Sequence, residues 1–445
     1  MATCLVEKKG INMNKTKNKN LGFKELVAIA VGGMVGGGIF TILGVSVSMV
    51  GTLAPFAIAL GGLIALFAAY SYVKLGVYYR DEGATYAFFK RTYPDSHLAA
   101  SFIGWYTIFG YISTLALYAY TFSSYSISGF EFADNDIVRK IVAVLIVWIF
   151  VLVNIWSVKG MGELEDIMVY SKLIILSIIS IALIYFGNSD IHTFSIALSN
   201  DFAHSSAMDI LIVASITFVA YEGFQLVINA VDEMEDPKRN IPRAIYTAVI
   251  LVAFIYFIIA LGSVVSIPTD DLIRNKEYAL ASGAEDIMGV LGRNLVILGA
   301  VLATCSAISG TMFGSSRQMA RIADDGYLPN KLTYRKNNIP IYAIITMAVT
   351  ASLLIVVGGL QLILEFGSIT FLLVSLLMAI ANFKIRHLTN SSTTFTIIAI
   401  LGLLTGAILI LIYEYQTQPE QLRFILILYI LLTLGAWGYA KLANR

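Results

Sequence analysis

This chain is short of charge, cysteine, histidine and proline. Charged residues make up only 13 % of its 445 residues, where a soluble domain carries about a quarter. The net charge is +1, which gives no sign of nucleic-acid binding, and none is expected. The two cysteines are Cys4, in a polar tail, and Cys305, in an apolar run, so no disulfide framework exists. His97, His192, His204 and His387 are scattered without metal-ligand spacing, and no metal or cofactor is expected. The apolar runs hold no His-x-x-His or Glu-x-x-His pair and no Ser/His/Asp grouping, which argues against an enzyme. Prolines fall in loops or at the ends of apolar runs, Pro55 included. A break inside such a run must then come from glycine.

What the chain has instead is apolar length. Apolar residues make up 58 % and the mean hydropathy is +0.79. Twelve runs, each near the ~20 residues that cross a bilayer, lie at 23–49, 53–78, 98–127, 138–157, 165–187, 207–231, 244–266, 287–322, 340–358, 361–383, 393–413 and 422–440. The expected class is an all-α polytopic membrane protein with twelve transmembrane helices. The eighth run is overlong and is expected to begin with a short outer helix. No cleavable signal peptide is read, because the first run follows a polar tail and is too long for one. Either Met1 or Met13 serves as the start. If the N-terminus is cytoplasmic, 23 of the 30 Lys and Arg fall inside, 6 outside and one, Lys172, within a span. That bias obeys the positive-inside rule and places both termini in the cytoplasm. The basic tail (Lys8, Lys9, Lys15, Lys17, Lys19) sets this topology rather than binding RNA or lipid.

The first run contains Val31-Gly-Gly-Met-Val-Gly-Gly-Gly-Ile-Phe40, with five glycines in seven positions. Each interior glycine weakens a helix by about 1 kcal/mol relative to alanine. The sixth run reads Ser215-Ile-Thr-Phe-Val-Ala-Tyr-Glu-Gly-Phe-Gln225, with a carboxylate and a glycine in mid-span. The two lie five runs apart, so runs 1–5 and 6–10 have opposite orientations. A matched pair of interrupted helices points to a midplane site between inverted repeats. The expected organisation is a tail (1–22), a first repeat (23–190), an inverted second repeat (205–388) and two further helices (392–445). The competing reading is close helix packing, because Gly32/Gly36 and Gly33/Gly37 each form a G-x-x-x-G pair. A phosphate loop is excluded, since no Lys-Ser/Thr follows the glycines.

Three segments then carry a resemblance. Gly36-Gly-Gly-Ile-Phe40 resembles the G-x-G-I-F signature of the first helix in amino acid–polyamine–organocation (APC) transporters. Glu233-Met-Glu-Asp-Pro237-Lys-Arg-Asn240-Ile-Pro242-Arg-Ala-Ile245 is similar to that family's segment after helix six. Arg317-Gln-Met-Ala-Arg321 with Asp325-Gly-Tyr-Leu-Pro329 resembles its helix-eight terminus. Two positions depart from the pattern: Glu82-Gly-Ala-Thr-Tyr86 lacks the usual proline and double glycine, and Asp236 stands where asparagine is common. The resemblance implies a LeuT-type five-plus-five inverted repeat and symport or exchange of amino acids or amines across the plasma membrane.

In such a site the N–H groups opening the second half-helix, at Gly36, Gly37 and Gly38, suit a carboxylate. Carbonyls at Gly33 and Met34, and at Val219, Ala220 and Glu222, suit an ammonium. Phe218, Tyr221 and Phe224 crowd the second break; packing accounts for them, while the resemblance implies an aromatic gate near Phe218 or Tyr221. Lys172 costs about 2.5–3.5 kcal/mol at a span centre. It either snorkels to the membrane edge or, as the resemblance implies, occupies the place where sodium-coupled relatives bind an ion. There it would contact first-helix carbonyls and a hydroxyl, Ser306 or Ser309, and carry a proton. Glu222 would bind a substrate amine, carry the proton or cap freed N–H groups. Glu365 reads as interfacial. The expected partners are an amino acid, protons and the lipid bilayer, with the oligomeric state open. The expected function is proton-coupled amino acid symport, with amino acid/amine exchange as the alternative. A nutrient sensor lacks its soluble extension here, and a channel would need repeated polar rings rather than two broken helices.

Overall fold

A computed structural model describes residues 21–156, 159–186 and 191–443. The tail lysines, Cys4, both candidate starts and Arg445 lie outside the described residues. The described residues are almost all helix, with no strand beyond two isolated bridges.

Helix α1 (Phe23–Met34) and α2 (Gly38–Val50) are the two halves of the first run. α3 (Ala54–Tyr79) starts with Pro55 in its first turn, where a missing N–H costs nothing. α4 (Ala84–Thr92) is a short helix in what reads as a loop, and α5 (His97–Ile127) follows behind a Ser96 cap. α6 (Asp136–Trp156), α7 (Lys159–Phe186) and α8 (Ile191–His204) lead to α9 (Ala207–Ile216), capped by Ser206 and Asp209 in a reciprocal box. After α9 come a tight 3-10 turn (Thr217–Tyr221) and α10 (Leu226–Asn229), so the sixth run is also broken. α11 (Pro237–Ser266) begins earlier than its apolar run, and Pro242 therefore lies inside its second turn rather than at its end. α12 (Thr269–Arg274) precedes α13 (Ala279–Asp324), whose backbone leaves helical geometry at Gly289 (φ 66°, ψ −161°). The short helical piece before that kink, 279–288, thus lies almost wholly ahead of the eighth run rather than inside its start. α14 (Ile341–Val357), α15 (Leu360–Lys384), α16 (Arg386–Thr389), α17 (Thr393–Thr417) and α18 (Pro419–Ala443) complete the chain. Among the described residues, 8 helical segments are long and apolar enough to cross a membrane, and two more apolar helices are shorter.

The two broken segments sit at the centre. α1 packs on α11 and α10, and α2 packs on α9 and the 3-10 turn. α5, α13 and α15 surround them, and α18 lies outside against α5. One end of the bundle is basic: Asp81 takes Arg91 at 2.6 Å and Arg321 at 3.5 Å, and Lys90 reaches Asp325 at 2.9 Å. Lys384 and Lys74 cap the carbonyls of Thr92 and Asn390 at the same end. At the far end Arg139 is buried and ion-paired with Glu277, while the Tyr278 hydroxyl donates to Asp134 at 2.9 Å. Burial holds the Glu277 carboxyl above the usual carboxylate range against the pull of Arg139.

Gly223 shows why the second break needs glycine. Its φ is +125°, and a Cβ there would lie 2.5 Å from the Gly33 carbonyl carbon. The two broken segments therefore touch backbone to backbone. Gly223→Ala is expected to cost at least about 2 kcal/mol, from strain and overlap together. Thermal inactivation of the detergent-purified protein measures it, and an unchanged midpoint would contradict the contact.

Candidate functional site

A helix broken in an apolar interior leaves carbonyls and N–H groups that must find partners. Here other helices supply them. The Tyr256 hydroxyl of α11 donates to the Met34 carbonyl at 2.9 Å and lies 3.3 Å from that of Ala220, so one phenol spans both breaks. The Tyr125 hydroxyl of α5 donates to the Phe40 carbonyl at 2.9 Å, and its ring meets Phe40 edge-on. The Ser368 hydroxyl of α15 donates to the Ile216 carbonyl at 2.5 Å, where α9 ends. Gln225 folds back to accept from the Gly223 N–H at 3.1 Å and to donate to Glu222 Oε2 at 2.9 Å.

Lys172 belongs to this set. Its side chain has no exposed surface, and Nζ donates to the Gly32 carbonyl at 2.8 Å. The side chain therefore does not snorkel: it is enclosed by protein, where α13 and α11 pack on α7 and its Nζ is held by the end of α1. Val169 of α7 presses on Gly32, where a Cβ would lie 3.0 Å from its methyl. Ser306 and Ser309 are buried on α13.

A small cavity of about 40 Å³ lies on the basic-end side of the breaks. Gly33 and Glu222 line it, with Tyr111, Tyr118, Asn229 and Phe371 among the other walls. Leu226, Asn229, Gly310, Gly314 and Gln318 also line a vestibule of about 510 Å³ that reaches Glu82, Arg317 and Arg321. The cavity thus leads toward the basic end. Glu222 is buried beside it, and its Oε1 receives no donor from the described residues.

The structure brings Gly33 and Glu222 together on one cavity but not the other expected residues. Phe218 and Tyr221 are fully buried and line no part of it; the Tyr221 hydroxyl is spent on the Ile58 carbonyl at 2.7 Å. The aromatic walls are Tyr111, Tyr118 and Phe371 instead. The glycines of the first break are closely covered. A Cβ at Gly36 would lie 2.9 Å from the Tyr118 ring, one at Gly37 3.0 Å from Thr304, and one at Gly38 2.7 Å from Ala220. The Val219 carbonyl accepts from the Glu222 N–H, and the Met34 carbonyl from Gly36 and Tyr256. No cap bond from the described residues falls to the Gly33 carbonyl. Glu365 is not interfacial but buried, because Gln361 and α17 cover it.

Two broken helices, held by side-chain caps around a polar cavity, define a polytopic membrane protein that handles a small solute. Residues 21–436 match the amino acid permease family, and the chain belongs to it. It is a transporter, not an enzyme, and the family carries a membrane setting and amino acid substrates. The inner membrane transport protein YbaT of Escherichia coli K12 is 30 % identical over 426 residues, covering 94 % of this chain and 95 % of its own. An uncharacterized protein of Methanocaldococcus jannaschii is 29 % identical over 434 residues, covering 96 % and 97 %. The large neutral amino acids transporter small subunit 2 of Mus musculus is 27 % identical over 371 residues, covering 80 % and 68 %.

Tyr256→Phe removes the one hydroxyl that bridges the Met34 and Ala220 carbonyls, leaving Met34 with only the Gly36 N–H. The expected loss is about 1–3 kcal/mol, read as a lower inactivation temperature in detergent. A variant as stable as wild type would show that the phenol does not hold the breaks.

Proposed function

We propose that this protein is a proton-coupled amino acid symporter of the plasma membrane. It crosses the bilayer twelve times, as two inverted repeats (23–190 and 205–388) and two added helices (392–445), with both termini cytoplasmic. The matched breaks at residues 35–37 and 217–225 and the basic end support this arrangement. In this reading the basic end faces the cytoplasm, the cavity opens inward, and the Arg139–Glu277 pair closes the far side.

The substrate ammonium meets the carbonyl of Gly33, a cavity-lining residue whose carbonyl receives no cap bond from the described residues. The carboxylate meets the N-terminus of α2 once the Tyr118 ring leaves Gly36. There Gly37 and Gly38 let an anion approach backbone N–H groups without a Cβ in the way. Lys172 couples protons. Its ammonium holds the Gly32 carbonyl, one residue from the substrate contact at Gly33, so gain or loss of its proton changes how firmly the end of α1 is held. Ser306 and Ser309 remain the candidate hydroxyl partners from α13.

The observation that carries this reading is the fully buried Lys172 Nζ, 2.8 Å from the Gly32 carbonyl. A second reading rests on Glu222, whose Oε1 lacks a donor among the described residues at the cavity edge. There it would bind a substrate amine in amino acid/amine exchange without net proton flux.

Uptake of labelled amino acids into proteoliposomes separates the two. In symport, an inward proton gradient drives accumulation and sodium has no effect. Lys172→Ala loses at least about tenfold of that accumulation, in keeping with a charge-assisted bond of about 1.5–3 kcal/mol, yet keeps some exchange. Lys172→Arg fails as well, because a guanidinium does not release its proton. Sodium-dependent accumulation, or wild-type proton response in Lys172→Ala, would contradict the assignment.

A further inference from the structure

Glu365 of α15 and Glu414 of α17 have no exposed surface. Their carboxyl groups lie within hydrogen-bonding reach of each other. Gln361 donates to Glu365 Oε1 at 2.8 Å. Glu365 Oε2 and both oxygens of Glu414 receive no donor from the described residues. Two buried carboxyl groups thus stand side by side with no donor to these oxygens among the described residues. An ionised carboxylate only accepts, whereas a protonated one also donates. A single proton turns this repulsive pair into a short, charge-assisted bond.

Among the described residues, no other group donates to those oxygens. Tyr413 of α17 lies beside Gln361, 3.5 Å from its amide nitrogen. Lys276, ahead of α13, acts on Glu365 only through its charge. Among the other helices packed on α15, Tyr72 of α3 meets the Phe224 ring edge-on, the Tyr111 hydroxyl of α5 lies 3.4 Å from the Gln225 amide nitrogen, and Tyr429 of α18 pairs with Thr370 at 2.9 Å.

The pair also sits where it can act on the second break. One turn along α15, Ser368 holds the Ile216 carbonyl and Gly367 approaches Val219. On α17, Gly406 lies against Ser215, where a Cβ would be 3.0 Å from its hydroxyl. α15 and α17 together therefore grip the end of α9.

We propose that Glu365 and Glu414 are a separate proton-binding site, sharing one proton that ties the far ends of α15 and α17 together. Loss of that proton leaves two like charges in contact, parts the helices and loosens their grip on the sixth run. The site does not depend on Lys172 or on the substrate pocket, and its test needs no transport.

Infrared spectra of the purified full-length protein near neutral pH compare wild type, Glu365→Gln, Glu414→Gln and the double variant. The glutamine amide supplies the missing donor and leaves its partner ionised. Each single variant should lose the absorbance of one protonated carboxyl, and the double should lose no more than either single. No loss in either variant, or losses that add in the double, would overturn a shared proton. So would a wild-type band that vanishes on adding sodium or calcium, which would make the pair a cation site. Backbone amide exchange over residues 360–366, corrected for intrinsic pH dependence, reads the tie itself. It should quicken as pH rises in wild type and not in Glu365→Gln. An equal response in both would sink the tie, and Glu414→Gln gives the same comparison should the first variant fold poorly.

Discussion

The rest of this structure depends on one constraint: backbone groups freed by a broken helix cannot stay unpaired in an apolar interior. Two such breaks meet at the centre, and side chains from α5, α7, α11 and α15 close them. Tyr256 serves both at once, bonding Met34 and lying within reach of Ala220. Lys172, Tyr125 and Ser368 take the carbonyls of Gly32, Phe40 and Ile216. The caps therefore have a second property. Each one ties a half-helix to a neighbouring helix, so a change at any cap shifts the site and the scaffold together. A carrier that exposes its site to each side in turn needs such a link between ligand contacts and helix positions.

The arrangement of the caps also divides the labour. Gly32 is held by an ionisable donor and Met34 by a neutral one, while the Gly33 carbonyl between them receives no cap bond from the described residues and is the one proposed to meet the substrate. Three successive carbonyls at the end of α1 thus have three different fates. That ordering gives the proposed coupling a short path: a proton on Lys172 acts one residue from the substrate ammonium, without a relay across the protein.

Much of this was legible in the sequence, because some features violate the rules of a spanning helix. Glycines at 32–38 weaken a helix where lipid demands a strong one, and the break falls at 35–37. A lone lysine in an apolar run is costly enough to need a partner, and Lys172 has one. The partners themselves were hidden. Tyr256, Tyr118 and Ser368 look like ordinary packing or helix residues in their own segments, and only the fold shows what they face. Phe218 and Tyr221 are buried as packing residues would be, and closeness in sequence to a break does not decide which side of it a ring takes. Glu365 stands near a helix end and reads as interfacial, since nothing in its own segment announces that α17 brings Glu414 against it. The signal available was that Glu365, inside one apolar run, and Glu414, just past the next, stand near the same end.

The central claim is that the two breaks read the charged groups common to every amino acid. Competition binding tests it most directly, with a labelled amino acid substrate displaced by the free amino acid, its methyl ester and its N-acetyl form. The account predicts that only the free form competes, because each blocked end leaves one set of backbone groups unpaired, at about 1–3 kcal/mol per lost bond. An ester that competes as well as the free amino acid would contradict it, and would assign recognition to Glu222 and an amine alone.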